Sequence, residues 1–324
     1  MRSDSERLDN LFEFWKNTAF GLNWPYVFTL PVWLKAWWAV FGENRRTDIR
    51  TVWDGQELLG IAPLQKNGRK ASFIGNADVC DYLDFIVLPH RAASFFHGFL
   101  DDLVSSGIDV LELRCLRPES HGISCFLPVL EERSIAFDQK PDGVSLEMEL
   151  PAAWDDYLAG LTSKQRHEVR RKLRRLYESG DIRFIVYDKP EDIAGNRDDF
   201  LKLFRRSRMD KSDFMTMKME SFFKTVMSAT VDAGLLKMAM LYVNQVKAAA
   251  LLFFDYNERI YLYNSGYDPE CGSISVGLLS KILLIRHGIS EKKRVFDFLR
   301  GDEAYKYRLG GCETSLSRIT VHLK

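Results

Sequence analysis

The sequence predicts an α/β protein made of two copies of one domain. Strand and helix patterns alternate along all 324 residues. Each half shows the same order of elements: two helices, about three strands, a long helix, a strand, a short helix and a final strand. The strands that follow the two long helices also look alike, DVLELR at 109–114 and RVFDFL at 294–299.

The composition limits the classes of function. Hydrophobic residues make up 46% of the chain, enough for a full core. Lys plus Arg and Asp plus Glu both number 45, so the net charge is zero. A neutral protein is unlike one whose entire surface binds nucleic acid, and we therefore expect no DNA partner. The five cysteines are dispersed without a C-x-x-C pair, as in reduced cytoplasmic proteins. The first ten residues lack the apolar run of a signal peptide, so we expect a cytoplasmic protein that can also work at the inner face of the membrane.

The first half contains a regular series of elements. Its predicted helices and strands are helices at 8–19, 31–41, 91–105 and 122–133, and strands at 49–53, 57–64, 71–74, 82–87, 110–114, 135–137 and 144–150. Asp54 and Gly55 form a strong hairpin turn between two of these strands. Gly107 is a stop signal for the long helix.

The second half repeats the series. Its predicted elements are strands at 182–187, 236–243, 246–255, 259–264, 295–299 and 316–321, and helices at 191–209, 219–232, 276–287 and 303–307. A helical hairpin that turns near 160–163 is expected between the halves. We therefore predict an N-terminal domain at 1–150, a connecting basic hairpin at 151–180 and a C-terminal domain at 181–324.

Several common active-site motifs are absent from the sequence. It contains no G-x-S-x-G, Walker A, G-x-G-x-x-G or H-E-x-x-H pattern. The six histidines are isolated from one another and from the cysteines, so we expect no metal site.

One loop has the composition of an anion site. The strand that ends at Asn264 leads through a Gly- and Ser-containing loop to the helix that follows Gly277. Free N–H groups and the helix dipole at such a position favour negative charge, and small side chains let a phosphate approach. Plain helix capping by the same residues is the alternative.

Charged residues collect at the end of the last buried strand before residue 300. Asp297, Arg300, Asp302, Tyr305 and Lys306 follow one another within ten residues. Ionisable groups at a buried strand end are costly unless they pair or act, and α/β proteins place their sites at such ends. For Asp297 the alternative to a catalytic role is an ion pair with Arg300, and for Tyr305 it is packing of the ring.

The hairpin carries a strongly basic helix. Seven cations lie between Lys164 and Arg175, opposed only by Glu168. Arg166 and Arg170 share one face of the helix, and Arg171 and Arg175 share the next. A solvated face is the usual explanation, but the bias in sign within a neutral protein favours anion binding.

The order of elements resembles the GNAT acyltransferase fold. The segments YNSGYDP at 263–269, SVGLL at 275–279, FDFLRGDEAYK at 296–306 and SKQRHEVRRKLRRL at 163–176 look like the tandem-GNAT family grouped with CelD-like acetyltransferases of cellulose and exopolysaccharide biosynthesis. These are relatives of the Fem-type aminoacyltransferases. Arg166, Arg170 and Arg171 match the basic helix of that family. The resemblance is best over 155–310.

The resemblance implies direct acyl transfer from acetyl-CoA or another acyl-CoA. The donor's pantetheine would pair with the strand backbone near Tyr263 and Asn264. A backbone N–H near 264–266 would stabilise the oxyanion. Asp297, or else Asp302, would accept the acceptor's proton, and Tyr305 would protonate the thiolate. The residues expected to hold the pyrophosphate are Ser273, Ser275, Val276, Gly277 and Leu278.

The acceptor side is less defined by the sequence. Arg166, Arg170, Arg171, Arg300 and Lys306 are expected to bind the acceptor or an anion. The implied acceptor is an amine or hydroxyl of a polysaccharide or cell-envelope precursor, with membrane or envelope-assembly partners. One alternative keeps the fold but takes aminoacyl-tRNA as donor, against which the zero net charge argues. The other is a non-catalytic scaffold, because the loop keeps only Gly277 of the family's glycine pattern.

Overall fold

The computed structural model describes residues 1–207 and 209–324. Internal contacts divide the chain into two compact units, of which the first comprises Met1–Val144 and Thr314–Lys324, and the second Ser145–Glu313. The domain limits predicted at residues 150 and 180 stay a prediction. The helical hairpin lies within the second unit.

The first unit is a mixed sheet with helices. Its helices are α1 (Leu11–Lys16), α2 (Pro31–Phe41), α3 (Ala92–Ser105) and α4 (Leu127–Glu132). Its strands are β1 (Arg2–Glu6), β2 (Arg46–Asp54), β3 (Glu57–Asn67), β4 (Lys70–Phe73), β5 (Ile86–Val87), β6 (Val110–Leu116), the first part of β7 (Phe137–Glu149), and β13 (Cys312–His322) from Thr314 onward. The order β1-β2-β3-β4-β6-β13 is antiparallel except for β4 and β6, which run parallel, while β5 pairs with β3.

The second unit has the same plan. Its helices are α5 (Trp154–Gly160), α6 (Ser163–Glu178), α7 (Pro190–Ser207), α8 (Met209–Phe214), α9 (Met217–Asp232), α10 (Val276–Ser290) and α11 (Ala304–Arg308). Its strands are β8 (Ile182–Tyr187), β9 (Leu236–Val243), β10 (Val246–Tyr256), β11 (Arg259–Tyr267), β12 (Val295–Arg300) and the end of β7 from Ser145. In the order β7-β12-β11-β10-β9-β8, only β11 and β12 are parallel.

The predicted α/β fold class is confirmed, and most elements lie where the hydrophobic pattern placed them. The hairpin of α5 and α6 turns at residues 160–163, as expected. The α6 helix begins with a capping box in which the Thr162 hydroxyl accepts from the Gln165 N–H.

Three local predictions are wrong. The helix predicted at 8–19 ends at Lys16, because the Asn17 side chain accepts from the Ala19 N–H and starts a 3₁₀ turn. The strand predicted at 82–87 is reduced to β5, because the Asp84 carboxylate accepts from the backbone N–H groups of His121 and Gly122. The strands predicted at 135–137 and 144–150 are one strand, β7. The helix predicted at 191–209 is found as α7 up to Ser207 and as the first residue of α8, Met209, and its residue 208 lies outside the described residues.

Each unit has its own core. Phenylalanines dominate the first, where Phe85 packs edge-on against Phe96 at 5.0 Å between ring centroids. In the second, α10 packs on β9, β10 and β11 and is buried on most sides. Over the described residues, no helix combines the length and apolar character needed to cross a membrane.

Candidate active site

A gap between two parallel strands of the second unit is the main feature of the site. Strands β11 and β12 pair over three residues each, and Tyr261 opposite Asp297 is the last pair. Beyond it, β11 continues along β10 to Tyr267, while β12 continues along β7, with which it pairs from Val295 to Arg300. The two strands therefore diverge, and β11 has no further strand on that edge within the described residues.

A β-bulge lies at the mouth of the gap. Leu252 of β10 faces Asn264, but the next residue, Phe253, faces Leu262, so Tyr263 is the extra residue. The Tyr263 ring stacks against Phe223 at 5.8 Å between ring centroids. Because the Tyr263 ring is packed against α9, the donor-binding role predicted for this residue is left to its backbone. A bulge of this kind bends the strand and interrupts the regular ladder at this point.

The loop before α10 has the geometry predicted from its composition. Ser275 occupies the N-cap position in the left-handed conformation, with φ of 59°. Its carbonyl accepts from the N–H groups of Leu278 and Leu279, so the amides of Val276 and Gly277 form the opening turn of α10. At Gly277 a Cβ would lie 2.7 Å from the Tyr267 ring, so the glycine allows α10 to approach β11. Of the predicted loop residues, Ser275, Val276, Gly277 and Leu278 share this helix N-terminus, whereas Ser273 lies in a 3₁₀ turn at Pro269–Ile274.

The basic helix contacts this loop through a residue that the sequence did not single out. The Lys172 ammonium donates to Ser275 Oγ at 2.6 Å, and Arg175 Nη2 donates to the Ser273 carbonyl at 3.5 Å. Lys172 lies three residues after the buried Val169 and four before the buried Leu176, on the same face of α6. A lysine within the apolar stripe was the signal that could have identified it.

The three arginines predicted for anion binding are placed differently. Arg166 donates to the Ala159 carbonyl at 3.3 Å and so holds the hairpin turn. Arg171 forms a bidentate pair with Glu168 at 2.9 Å, and its hydrogen bonds lower the pKa of that carboxyl to about 2. Arg170 is exposed on α6. None of the three contacts the α10 loop through a hydrogen bond within the described residues.

Asp297 is a buried anchor of β12. Its side chain is fully inaccessible, and Oδ1 accepts from the Leu299 N–H at 2.8 Å. Its Oδ2 lies 3.3 Å from Arg259 Nη1, and that guanidinium also pairs with Glu147. The partner is therefore Arg259, whereas the sequence interpretation named Arg300. Because both carboxylate oxygens are engaged, this geometry favours the structural pairing over proton abstraction.

Lys306 closes the turn after β12. Its ammonium donates to the carbonyls of Leu299 at 3.0 Å, Arg300 at 2.7 Å and Gly301 at 3.1 Å, and it pairs with Glu303 at 2.9 Å. The three protons of an ammonium are thereby used, so we assign Lys306 to the turn, in place of the phosphate or acceptor role predicted for it. Leu299 and Gly301 both have positive φ in this turn, at 62° and 112°.

Two other predicted site residues of this segment have side chains that solvent can reach. Asp302 is exposed at the surface, and Tyr305 on α11 is half-buried. Lys281 of α10 lies over the Tyr305 ring, with Nζ 5.0 Å from the centroid, and donates to the Gly277 carbonyl at 2.7 Å. These two contacts connect Tyr305 to the first turn of α10.

Lys281 is a buried amine. Burial, followed by the positive charge of Lys211, lowers its pKa to about 7. Lys211 in turn donates to the Ser265 carbonyl on β11. Lys211 therefore contacts the end of β11 and Lys281 the first turn of α10, where negative charge on a ligand would be stabilised.

No metal centre is evident near these residues. Across residues 1–207 and 209–324, no three His, Cys, Asp or Glu side chains lie close enough together to hold a metal ion.

Comparison with known proteins supports an acyltransferase fold. A family model described as an acetyltransferase (GNAT) domain matches residues 163–307, which include α6, the α10 loop and the turn after β12. No curated protein matches the chain.

Solved structures extend the likeness to the whole chain. FemX superimposes with a TM-score of 0.65 at 10% identity, covering 98% of this chain and 97% of its own. A conserved protein of unknown function from Bacteroides thetaiotaomicron VPI-5482 gives 0.60 at 11% identity, with 99% of both chains covered. L-PGS from Bacillus licheniformis gives 0.54 at 10% identity, with 90% of both covered. At these identities the likeness concerns the fold alone, and the match to the acetyltransferase (GNAT) domain model is confined to residues 163–307.

Proposed function

We propose that the second unit transfers an acyl group from an acyl-CoA to an amine or hydroxyl by direct attack. The observation that carries the proposal is the divergence of β11 from β12 after Tyr261, beside the N-terminus of α10. A gap of this kind offers a strand edge that can pair with amide groups and a helix N-terminus that can bind phosphates. Coenzyme A has both groups, the amides in its pantetheine arm and the phosphates in its pyrophosphate.

The loop before α10 would bind the pyrophosphate. The amides of Val276 and Gly277 supply N–H donors, and Lys172 supplies a positive charge 2.6 Å from the Ser275 hydroxyl. Ser273 and Leu278 complete the loop residues around this turn. Lys172 would thus take the anion-binding role that the sequence analysis gave to the arginines of α6.

The pantetheine arm would lie along the free edge of β11. Its amides would pair with the backbone of residues 262–267 as an added strand does. The thioester carbonyl would then approach the bulge at Tyr263 and Asn264, where a backbone N–H stabilises the oxyanion.

The acyl group passes directly from the donor to the acceptor, and no covalent intermediate with the enzyme forms. The acceptor nitrogen or oxygen forms a bond to the thioester carbon, and the carbon–sulfur bond breaks. The acceptor's proton leaves to the exposed Asp302 or to water, since Asp297 is buried in its pair with Arg259. Tyr305 gives its phenolic proton to the leaving thiolate and regains one from solvent.

The acceptor class rests on the resemblance to CelD-like acetyltransferases. We propose a polysaccharide or cell-envelope precursor, acylated at the cytoplasmic side of the membrane. The structure of FemX and that of L-PGS from Bacillus licheniformis support the fold on which this rests.

Binding of acetyl-CoA tests the donor. We expect acetyl-CoA to raise the melting temperature, by a stabilisation of about 2.7 kcal/mol at a hundredfold excess over Kd. Lys172→Gln should weaken binding by about tenfold to a hundredfold, because a charge-assisted contact to phosphate contributes about 1.5–3 kcal/mol.

Arg174→Gln is the matched control. Arg174 lies on the same helix with a side chain 72% exposed and pairs with Glu178 at 3.7 Å. Its replacement should leave the affinity for acetyl-CoA unchanged. Absence of binding by any acyl-CoA, or salt-sensitive binding of aminoacyl-tRNA in its place, would overturn the proposed donor.

A further inference from the structure

The first unit contains a polar cavity that the proposed reaction does not use. The cavity measures about 310 Å³. Its floor is a row of side chains across three strands, because Gln65 faces Ser72 and Ser72 faces Glu112 in the strand registers. Paired residues of neighbouring strands project to the same face of a sheet, so this row forms a single polar surface.

The cavity carries an excess of positive charge. Its lining includes four cations, Arg45, Lys66, Lys70 and Arg114, and one carboxylate, Glu112. Glu112 pairs with Lys70, and Arg114 pairs with Asp142 at 2.5 Å. Within the part of the chain that the structure describes, neither Arg45 nor Lys66 has a carboxylate within ion-pair distance. Arg45, whose guanidinium lies over the Trp37 ring at 5.8 Å from the centroid, and Lys66 therefore keep their charges available to an anion.

Gln65 adds an unused hydrogen-bond acceptor. Its side chain is 3% exposed, and its Nε2 donates to the Phe73 carbonyl at 2.8 Å and to the Gly75 carbonyl at 3.4 Å. These two carbonyls fix the orientation of the amide, since a carbonyl can only accept. Oε1 is buried and accepts no hydrogen bond from the described residues. A buried acceptor in this state is costly and is satisfied when a ligand brings a donor.

We infer that this cavity binds an anionic monosaccharide, a single sugar ring that carries a phosphate or a carboxylate. The anionic group would be held by Lys66 and Arg45, and a shift of the side chains around the buried Gln65 Oε1 would let a sugar hydroxyl donate to it. The volume lies at the lower end of the range of about 300–1,000 Å³ that small-molecule sites occupy, which suits one sugar ring. The inference concerns the first unit alone and does not depend on the donor proposed for the second.

Titration with defined sugars tests the inference. The probes are glucose 1-phosphate, glucuronate, neutral glucose and inorganic phosphate, each added to the full chain and followed by calorimetry. We expect glucose 1-phosphate or glucuronate to bind more tightly than both glucose and inorganic phosphate. Binding of the first identifies a phosphate as the anion, and binding of the second identifies a carboxylate. Binding of neither would overturn the inference, as would equal affinity for inorganic phosphate.

Two variants locate the binding. Lys66→Gln should weaken the affinity for the anionic sugar by about tenfold. Lys140→Gln, on an exposed part of the same unit, should leave it unchanged. The thermal unfolding midpoint of Lys66→Gln should match that of the native protein, which shows that the variant is folded. Unaltered sugar affinity in Lys66→Gln would show that the cavity is not the site.

Discussion

Asp297 has the position expected of a catalytic base but the environment of a structural residue. It is the last residue of β12 that pairs with β11, directly at the divergence of the strands. Its carboxylate nevertheless holds Arg259 on one side and the Leu299 N–H on the other. The position of Asp297 at the end of a buried strand could be predicted from the sequence. Its ion-pair partner could not, because Arg259 lies 38 residues away along the chain.

Asp297→Asn separates the two roles. Loss of the charge leaves Arg259 without its buried partner, so we expect a loss in stability of about 3 kcal/mol, measured by urea unfolding. Turnover by the fraction that remains folded should fall little. Asp302→Asn is the exposed control and should leave the unfolding free energy unchanged. A stable Asp297→Asn protein without turnover would restore the base assignment.

Tyr305 can be tested by removing only its hydroxyl. Tyr305→Phe keeps the ring contacts with Lys281 and with Phe298, 6.3 Å away between centroids. We expect kcat to fall by about a hundredfold or more, since a general acid contributes that much, with acetyl-CoA affinity unchanged. An unchanged kcat would assign the ring to packing.

Lys281 should make stability depend on pH in a defined direction. Its pKa is about 7 in the folded protein and 10.5 for a lysine side chain in water, so the unfolded chain binds more protons between these values. Stability of the native protein should therefore rise with pH across this window, and the burial penalty is complete below it. Lys281→Met has no such group.

The comparison to make is the unfolding free energy of Lys281→Met minus that of the native protein. This difference should be largest at and below about pH 7 and should decline as pH rises toward 10.5. Lys164→Met, at an exposed position, is the control and should show no trend. A difference independent of pH would mean that the Lys281 ammonium is not buried in the native protein.

At the scale of elements, hydrophobic periodicity predicted the helices and strands of the site well. The long helix expected at 276–287 is Val276–Ser290, and the strand expected at 295–299 is Val295–Arg300. Elements defined by long-range contacts were missed. Strand β1 has the polar sequence RSDSE and forms only because β2 pairs with it.

Close packing of α7 on β11 fixes one wall of the second unit, and Gly266 permits it. A Cβ at Gly266 would lie 2.3 Å from the Phe204 backbone nitrogen and 2.4 Å from the Leu203 carbonyl carbon. Because backbone cannot yield as a side chain can, Gly266→Ala should lower stability by about 3 kcal/mol, at the upper end for overpacking.

Gly195→Ala is the matched control on the same helix. Nothing lies within 4 Å of a Cβ at Gly195, in the interior of α7. Alanine is favoured over glycine there by about 0.5–1 kcal/mol, so this variant should be more stable than the native protein. Thermal unfolding of both variants checks that the two changes in stability have opposite signs. A Gly266→Ala protein as stable as the native protein would contradict the close packing of α7 on β11.

At the scale of the whole molecule, the repeat seen in the sequence extends to strand register. In the first unit β4 and β6 pair in parallel over three residues and end at Ser72 opposite Glu112, as β11 and β12 end at Tyr261 opposite Asp297. Glu112 thus occupies the position of Asp297, as the sequence comparison indicated. The two positions differ in surroundings, since Glu112 borders an open polar cavity and Asp297 is fully buried.

Pairing of the final strand could not have been predicted from the repeat. The sequence placed the strand at 316–321 in the second copy, whereas β13 pairs with β6 and completes the sheet of the first unit. Periodicity identifies a strand but not its neighbour, because antiparallel partners can be any distance apart in the chain.

Hydrogen exchange with acetyl-CoA tests the central claim, that the edge of β11 and the first turn of α10 hold a thioester donor. We predict slower amide exchange in residues 262–267 and 275–279 when acetyl-CoA is bound, with no change in the first unit, and loss of this protection in Lys172→Gln at the same ligand concentration. Exchange that is unchanged at both segments, or slowed only elsewhere, would contradict the account.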